Sequence, residues 1–390
     1  MSARSFLGFR RPDGRIGTRN HVLIVPTVIC SSVVAERISA VDTSHLVALP
    51  HLAGCGQIGP DMRGTHDTLA AYCAHPNVGA VLVVALGCEQ VVAQTLAETA
   101  RRHGKHAEVI GIQPEGGTLR TIERGSRIAR DMAAALEAEE RQPCDVSDLI
   151  LSLKCGGSDY TSGLGSNPVL GRVTDRLVTL GGSAVMGEVA EIMGAEHLLA
   201  SRAAREDTAS RLIQIVTRVE QEARSLGVDI RGTQPSPGNI RGGLTTIEEK
   251  ALGATQKAGE RASLEDVVAY AAPVERKGLT FMDTPGLDVE SVTGMVAGGA
   301  QVVVFTTGLG TPTGNPVAPV IKITANARTA KQMADNTDLD VSSVIEGTET
   351  TDEAADRLFA LILSVASGTA TAAERLGHRE FAIYRRNPTI

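Results

Sequence analysis

Short apolar runs alternate with segments of helical periodicity through the first third of the chain. The first run, 21–30, is followed by a segment over 31–40 that reads as a helix. This alternation predicts βαβ units, in which parallel strands are joined by helices. Further strands are predicted at 46–50, 78–87 and 107–113, and further helices at 91–103 and 118–139.

A polar stretch at 140–148 reads as a linker and predicts two domains, 1–145 and 146–390. The second domain contains a glycine-rich segment, 228–262, that predicts a long loop. Its strands are predicted at 149–153, 183–186, 278–282, 301–306 and 320–324, and its helices at 168–180, 194–226 and 352–365, the last behind Thr351. The predicted fold class is α/β, with Rossmann-like open parallel sheets, helices on both faces, and two or three sub-domains.

Composition narrows the classes of function. The 390 residues carry a formal charge of −7, with 38 Lys and Arg against 45 Asp and Glu and no basic block, so nucleic-acid binding is not expected. No apolar run is long enough for a membrane span, and the N-terminus has no signal-peptide pattern, so a cytoplasmic protein is expected. Six cysteines in a chain of this length do not indicate a disulfide scaffold.

Four apolar runs each lead to a cysteine, namely Cys30, Cys55, Cys88 and Cys155. Because the carboxyl ends of parallel strands line the ligand crevice of an open α/β sheet, these thiols can converge. Cys55, Cys88 and Cys155 lie beside glycines, and thiolates select iron or zinc over magnesium. These three are the predicted metal ligands, most plausibly of iron, although each thiol alone also reads as a small buried hydrophobe. Cys30 is a reserve ligand or a core residue, and Cys73 and Cys144 are expected to be structural.

Several polar residues are candidates for binding or proton transfer. His51 is placed to ligate a metal, to abstract a proton or to cap a turn, and Glu89 to act as a ligand or base or to face solvent. Arg15 and Arg19, in an arginine-rich turn, suit a carboxylate or a solvated surface. The loop after Cys155 is able to bind an anion or a polyol, or to cap the helix that follows it. The segment around Asn315 and Lys322 has the same alternative interpretations. The loop's candidate residues are Ser158, Asp159 and Asn167. No nucleotide-binding motif is present.

Six long motifs, in order along nearly the whole chain, resemble the altronate/galactarate dehydratase family. They are Gly-Phe-Arg-Arg-Pro-Asp-Gly-Arg-Ile-Gly-Thr-Arg-Asn (8–20), His-Leu-Ala-Gly-Cys-Gly (51–56), Leu-Gly-Cys-Glu (86–89), Lys-Cys-Gly-Gly-Ser-Asp (154–159), Pro-Gly-Asn-Ile-Arg-Gly-Gly-Leu-Thr-Thr-Ile-Glu-Glu-Lys (237–250) and Gly-Asn-Pro-Val-Ala-Pro-Val-Ile-Lys (314–322). The resemblance implies a hydro-lyase that uses iron, as Fe²⁺ or an iron–sulfur cluster, to convert an aldonate or aldarate to a 2-keto-3-deoxy acid. It also implies a large subunit completed by a small SAF-type subunit, within a homo- or hetero-oligomer.

The mechanism expected from this resemblance is β-elimination from a small carboxylate substrate. Iron on Cys55, Cys88 and Cys155 would bind the leaving hydroxyl. Arg15, Arg19 or Lys322 would hold the carboxylate, with His51, Glu89 and Asp159 as catalytic candidates; Ser158, Asp159, Asn167 and Asn315 would contact substrate. Two alternatives stay open: a sulfo-lyase that releases sulfite from a sulfolactate-like acid, and a non-catalytic subunit that docks a partner.

Overall fold

Two open parallel sheets covered by helices, and one small antiparallel sheet, form the architecture of the computed structural model, which describes residues 4–390. The strands are β1 (Ser5–Arg10), β2 (Ile16–Gly17), β3 (His21–Pro26), β4 (Leu46–Ala48), β5 (Val78–Ala85), β6 (His106–Gly111), β7 (Gln142–Asp145), β8 (Ile150–Cys155), β9 (Ser183–Met186), β10 (Leu264–Val268), β11 (Gly278–Met282), β12 (Val302–Thr306), β13 (Val320–Thr324) and β14 (Leu339–Asp340). The helices are α1 (Ile29–Ser39), α2 (Gly59–Ala74), α3 (Ala93–Arg102), α4 (Thr118–Glu137), α5 (Asn167–Thr179), α6 (Glu196–Ala200), α7 (Glu206–Ser225), α8 (Ile230–Thr233), α9 (Pro237–Arg241), α10 (Ile247–Thr255), α11 (Asp288–Ala297), α12 (Ala327–Gln332), α13 (Ser342–Glu346), α14 (Thr351–Ala366) and α15 (Ala372–Leu376). The predicted α/β class with helix-covered parallel sheets is confirmed.

The smaller parallel sheet has the order β4-β3-β5-β6. Its central strand β3 is apolar on both faces, as expected for a strand that is covered twice. Val22 and Ile24 pack with residues of α1 and α4, and Leu23 and Val25 pack with residues of α2 and α3. The strand order reverses at β3, so the loops that follow β3, β4 and β5 lie at one carboxyl edge.

The larger parallel sheet has the order β10-β11-β9-β8-β12-β13-β14, and its order reverses at β8. Leu151 and Leu153 of β8 belong to a core on one face of this sheet. Val303 and Phe305 of β12 share a second core with Leu23 and other residues of the smaller sheet. The two sheets are therefore joined by a continuous apolar interior.

The antiparallel sheet joins the two ends of the first predicted domain, because β1 pairs with β2 and also with β7. The segment 140–148 was predicted to be a linker, but it contains strand β7. This prediction is wrong, because pairing with β1 compensates for the strand's polar composition. None of the helices in residues 4–390 combines the length and the apolarity that a membrane span requires.

Three further element predictions need correction. The strand predicted over 21–30 ends at Pro26, and Cys30 lies in the first turn of α1. The helix predicted over 194–226 is divided into α6 and α7. The loop predicted over 228–262 contains α8, α9 and α10, because polar side chains cap the start of each helix despite the surrounding glycines.

Candidate functional site

A crevice lies where the strand order of the larger sheet reverses. Strand β8 ends at Cys155, between β9, which ends at Met186, and β12, which ends at Thr306. The segments that follow these three strands therefore meet at one point. This is the location at which open α/β sheets bind their ligands.

Cys155, Ser158 and Asn167 are brought together in this crevice. The Cys155 Sγ lies 3.0 Å from the Ser158 Oγ and 3.7 Å from the Asn167 Nδ2. The Asn167 Oδ1 accepts a 2.6 Å hydrogen bond from the Thr306 hydroxyl, which fixes the amide. Burial raises the pKa of the Cys155 thiol. The three residues are within reach of one ligand, but the cysteine is held as a thiol.

Asp159 organises the turn after Cys155. Its Oδ1 accepts hydrogen bonds from the Thr161 hydroxyl at 2.7 Å and from the Ser162 amide at 3.0 Å. Its Oδ2 accepts one from the Asn326 amide at 2.8 Å. Both oxygens are therefore engaged by the protein, and the catalytic role predicted for Asp159 stays a prediction.

A cluster of buried charges lies beside Cys155. The fully buried Lys154 Nζ is 2.7 Å from the Glu188 Oε2 and 2.5 Å from the Asp288 Oδ1. Lys257, also fully buried, pairs with Glu191. We call these five residues the acid–base cluster. With three carboxyl groups and two ammonium groups, the cluster has an excess of acidic groups.

The acid–base cluster perturbs the ionisation of its members. Burial raises the pKa of Glu188 to about 8. The carboxylates of Glu191 and Asp288 reinforce this rise, and the ammonium group of Lys154 opposes it. Burial alone would lower the pKa of Lys154, but Glu188 and Asp288 hold it above its ordinary value. Burial would raise the pKa of Glu191, but Lys257 and Lys154 lower it. A pKa of about 8 favours the protonated form of Glu188 at neutral pH.

Two cavities open at the crevice. One of about 310 Å³ is lined by Glu188, Glu191 and Asp288, and one of about 610 Å³ extends towards α10. Cys155, Ser158 and Lys250 line both cavities. Pockets for small molecules begin at roughly 300 Å³, so the smaller cavity suits a small organic acid.

Lys250 supplies a positive charge at the junction of the two cavities. Its Nζ donates to the Gln234 Oε1 at 3.0 Å and to the Asn239 Oδ1 at 3.2 Å. Within residues 4–390 it forms no salt bridge, and its direct hydrogen-bond partners are neutral amide oxygens, although its charge also acts on the carboxylate of Glu191. The Asn239 Nδ2 in turn donates to the Ser158 carbonyl at 2.8 Å, which ties the segment 237–250 to the crevice.

The sequence analysis missed the acid–base cluster. Two signals were available: Lys154 stands in the motif that contains Cys155, and Glu188 follows a predicted strand by two residues. Polar residues at the carboxyl ends of parallel strands line ligand sites. No pattern in the sequence pairs Lys154 with Asp288, because the two are 134 positions apart.

Three exposed cysteines, Cys30, Cys55 and Cys88, follow adjacent strands of the smaller sheet. Their loops are hydrogen-bonded to one another: the Ile29 amide donates to the Ala53 carbonyl at 3.0 Å, and the Gln90 amide donates to the Gly54 carbonyl at 3.2 Å. We call this region the thiol edge.

Gly54 makes the close approach of these loops possible. A Cβ at Gly54 would collide with the Thr27 carbonyl oxygen, and the φ of +102° at this position disfavours any residue other than glycine. The expectation that the cysteines lie in tight glycine loops is met at Cys55. The glycine is needed there because the backbone at Gly54 packs directly against the backbone of Thr27.

His51 and Glu89 support the thiol edge. The His51 Nε2 lies 2.8 Å from the Pro26 carbonyl, and its Nδ1 accepts from the Ala53 amide at 3.2 Å. Burial lowers the pKa of His51. Burial would raise the pKa of Glu89, but hydrogen bonds from the Thr27 hydroxyl and the Gly87 amide lower it. Proton transfer by His51 would require one of its two bonds to break, and both catalytic roles stay predictions.

The remaining candidates make contacts within the protein. Arg15 binds Asp13 at 2.7 Å, and Arg19 grips both carboxylate oxygens of Glu374 at 2.7 and 2.8 Å. The Asn315 Nδ2 donates to the Tyr72 hydroxyl at 3.0 Å. The Lys322 Nζ donates to the carbonyls of Pro312 and Thr313, and burial lowers its pKa to about 8. These contacts fix loops and termini, and the substrate-binding roles of the four residues stay predictions.

The predicted ligand set of Cys55, Cys88 and Cys155 is divided between two sheets. Cys55 and Cys88 lie at the thiol edge, whereas Cys155 is buried in the crevice of the larger sheet. Across residues 4–390, no three His, Cys, Asp or Glu side chains are grouped closely enough to surround a single metal ion. The predicted set therefore does not fit one mononuclear iron in this conformation.

Comparison with known proteins places the chain in a family. The family described as "D-galactarate dehydratase/Altronate hydrolase, second domain" matches residues 8–137, and "D-galactarate/Altronate dehydratase, C-terminal" matches residues 146–389. The (2R)-sulfolactate sulfo-lyase subunit beta of Chromohalobacter salexigens is 41% identical over 99% of this chain and 98% of its own length. The altronate dehydratases of Bacillus subtilis and Escherichia coli are each 34% identical, over 99% and 98% of this chain and 79% and 78% of their own lengths. The chain therefore belongs to the D-galactarate/altronate dehydratase family.

Proposed function

We propose that this protein is a hydro-lyase that eliminates water from a hydroxy or sugar acid and releases a 2-keto-3-deoxy acid. The observation that carries the proposal is the acid–base cluster in the crevice of the larger sheet. Elimination of water next to a carboxylate needs a proton acceptor, a proton donor for the departing hydroxyl and a cation for the substrate carboxylate. The cluster and Lys250 supply these three groups around one cavity.

Each group has an assigned role. Lys250 holds the substrate carboxylate, because it lines both cavities and its direct hydrogen-bond partners are neutral amide oxygens. Asp288, whose side chain is one-third exposed, accepts the proton from the carbon next to the carboxylate. The electrons of that C–H bond form the C=C bond as the C–O bond breaks, and Glu188 protonates the leaving hydroxide. The enol product then tautomerises to the 2-keto acid.

Iron stays a prediction for this chain. Bound through thiols of the thiol edge, it would supply a Lewis acid. The proton transfers assigned to Glu188 and Asp288 require only the residues of the crevice.

A second candidate function differs in its leaving group. The relative that matches almost end to end is named a sulfo-lyase subunit, which favours release of sulfite as the alternative. Sulfite leaves without protonation more readily than hydroxide, so this reaction depends less on Glu188. The same relative's name, "subunit beta", supports the proposal that a small SAF-type subunit completes the present protein.

The two candidates are separated by their products. The purified protein, alone and with a small subunit, is incubated with aldonates, aldarates and sulfolactate, and both 2-keto acid and sulfite are measured. A keto acid formed from a sulfur-free acid supports the hydro-lyase. Sulfite formed from sulfolactate, with no keto acid from the sulfur-free acids, refutes it in favour of the alternative, and the absence of both products refutes elimination.

A further inference from the structure

Among residues 4–390, Lys250 is the one positively charged side chain that lines the two cavities of the crevice. Neither arginine nor histidine contributes to the wall of either cavity in this part of the chain. Lys154 and Lys257 do not line the cavities, because their side chains are fully buried, and each pairs with a carboxylate of the acid–base cluster. The crevice therefore offers a ligand one cation.

Carboxyl groups outnumber this cation in the walls of the two cavities. The smaller cavity and the larger cavity are lined, respectively, by Glu188, Glu191 and Asp288 and by Asp159, Glu248 and Glu249. Hydrogen bonds from the hydroxyl and the amide of Thr245 lower the pKa of Glu249, so this group is ionised at neutral pH. An anion that enters the crevice thus meets one positive charge and several negative ones.

Apart from Lys250 and its carboxyl groups, the larger cavity is lined by neutral residues. Tyr160 and Leu164 line it from the segment after Cys155, and Leu252 lines it from α10. The hydroxyl-bearing residues Ser162 and Thr246 also line it. A second anionic group placed here would lose hydration without gaining a cation and would be repelled by the carboxylates. An uncharged carbon chain with hydroxyl groups would not meet that repulsion.

We propose that the crevice selects acids with a single negative charge, held with the carboxylate at Lys250 and an uncharged remainder in the larger cavity. The inference rests on the proposed function and narrows its substrate class to hydroxy monoacids. Aldarates carry two carboxylates, and sulfolactate carries a carboxylate and a sulfonate, so both rank below aldonates as ligands. Selection of this kind depends on repulsion of the wrong ligand as well as on attraction of the right one.

Two non-reacting probes separate the effect of charge from the effect of size. The probes 2,6-dihydroxyhexanoate and 2-hydroxyadipate have carbon chains of equal length, and neither carries a hydroxyl group β to a carboxylate, so binding is measured without turnover. Calorimetric titration of the full chain should show the monoacid binding at least about fivefold more tightly than the diacid. Added salt should narrow this difference, because it screens the repulsion.

A gain of binding is tested with Leu164→Lys, which adds a second cation to the wall of the larger cavity. Leu226→Lys is the matched control, since Leu226 is also exposed and lines neither cavity. Leu164→Lys should strengthen the binding of the diacid about fivefold relative to that of the monoacid, and Leu226→Lys should leave the ratio unchanged. Lys250→Gln should weaken the binding of both probes by about tenfold or more. Circular dichroism verifies that the variants are folded.

The inference is overturned if wild type binds the diacid as tightly as the monoacid, if it binds neither probe, or if Leu164→Lys and Leu226→Lys have the same effect. Turnover is measured separately, with panels of aldonates and aldarates. Elimination from both classes at similar kcat/KM overturns the charge selection alone. Selective binding of the monoacid without elimination from any acid overturns the proposed function alone.

Discussion

Glu188 combines two features that each lower the stability of a folded protein. Its φ of +68° lies in the left-handed region, although it is not a glycine, and its carboxyl group is buried. Such backbone strain clusters at sites where the surrounding structure enforces a particular geometry. Here the Glu188 backbone amide donates a 2.7 Å hydrogen bond to the Thr284 hydroxyl, and the Glu188 side chain pairs with Lys154. These two contacts hold the residue in this conformation.

The raised pKa of Glu188 predicts the pH dependence of elimination. With a pKa of about 8, the carboxyl group is a proton donor below that pH and loses this capacity above it. For wild type, kcat/KM should therefore fall above about pH 8. Glu188→Gln should lower kcat roughly 10²- to 10⁴-fold and remove the alkaline limb from the pH profile.

A matched control is Glu260→Gln, since this carboxylate is exposed and pairs with Arg172 at the surface. It should leave the profile unchanged. A Glu188→Gln enzyme that keeps most of its activity, or keeps the alkaline limb, would show that another group donates the proton.

Gly54→Ala should destabilise the protein. The φ of +102° costs about 1–3 kcal/mol for a non-glycine residue, and the added Cβ meets the Thr27 carbonyl. Gly64→Ala is the control: it lies inside α2 with open space around its Cβ, so it should be neutral or stabilise by roughly 0.5–1 kcal/mol. Urea unfolding measures both, and equal effects of the two substitutions would contradict this account of Gly54.

At the residue scale, the sequence predicted residue types better than residue roles. Cys155, Ser158 and Asn167 were expected near one another and are. Arg19 was a candidate for a substrate carboxylate, but it binds Glu374, a carboxylate 355 positions away. An arginine fork suits either partner equally, and only the fold determines which carboxylate reaches it.

Among the elements, α14 shows how closely a helix start can be predicted. The sequence placed Thr351 before a helix over 352–365, and the helix runs from Thr351 to Ala366 with Thr350 as its cap. The Thr350 hydroxyl accepts from the Glu353 amide at 3.2 Å, and the Glu353 carboxylate accepts from the Thr350 amide at 2.9 Å. The predicted cap was wrong by one position, because two adjacent threonines, Thr350 and Thr351, are both suitable N-cap residues.

Substitution of these two threonines should separate their roles. Thr350→Ala should lower the free energy of unfolding by about 1 kcal/mol, because it removes the hydroxyl that caps α14. Thr351→Ala, at the first helical position, should change it by less than about 0.5 kcal/mol. Equal losses, measured by urea unfolding, would argue against Thr350 as the cap.

Element types were predicted best where the pattern was long and apolar. The strands that were predicted for the two parallel sheets and the helix α4 agree with the structure to within a few residues, whereas β10 and β14 of the larger sheet were not predicted. Among the elements that escaped prediction, strand β7 and helices α8 to α10 depend on pairing with a distant strand or on local side-chain caps. Neither influence produces a hydrophobic period.

For the whole molecule, Asn77 links the two parallel sheets. Its fully buried amide donates to the carbonyls of Gln301 and Val317 at 3.0 and 3.1 Å and accepts from the Thr18 amide at 2.8 Å. Together with the shared core, this contact predicts that residues 4–390 unfold as one unit. The predicted domain boundary at residue 145 lies between two sheets that share one hydrophobic core. The boundary itself stays a prediction.

Asn77→Ala should lower overall stability by roughly 2–5 kcal/mol, since several buried partners lose their hydrogen bonds. The unfolding curve should shift without splitting into two transitions. Asn336→Ala, in a half-buried turn, is the control and should shift it by less than about 0.5 kcal/mol. Two separate transitions, seen by calorimetry in either protein, would show that the sheets are independent.

The surplus carboxyl group of the acid–base cluster makes ligand binding a proton-coupled event. An anion held by Lys250 adds negative charge near Glu188, so the affinity of Glu188 for its proton increases further. Near pH 8, where the free protein is about half protonated at this group, binding should draw a proton from the buffer. The heat of binding would then vary with the ionisation enthalpy of the buffer, and apparent affinity would weaken as the solution becomes more alkaline.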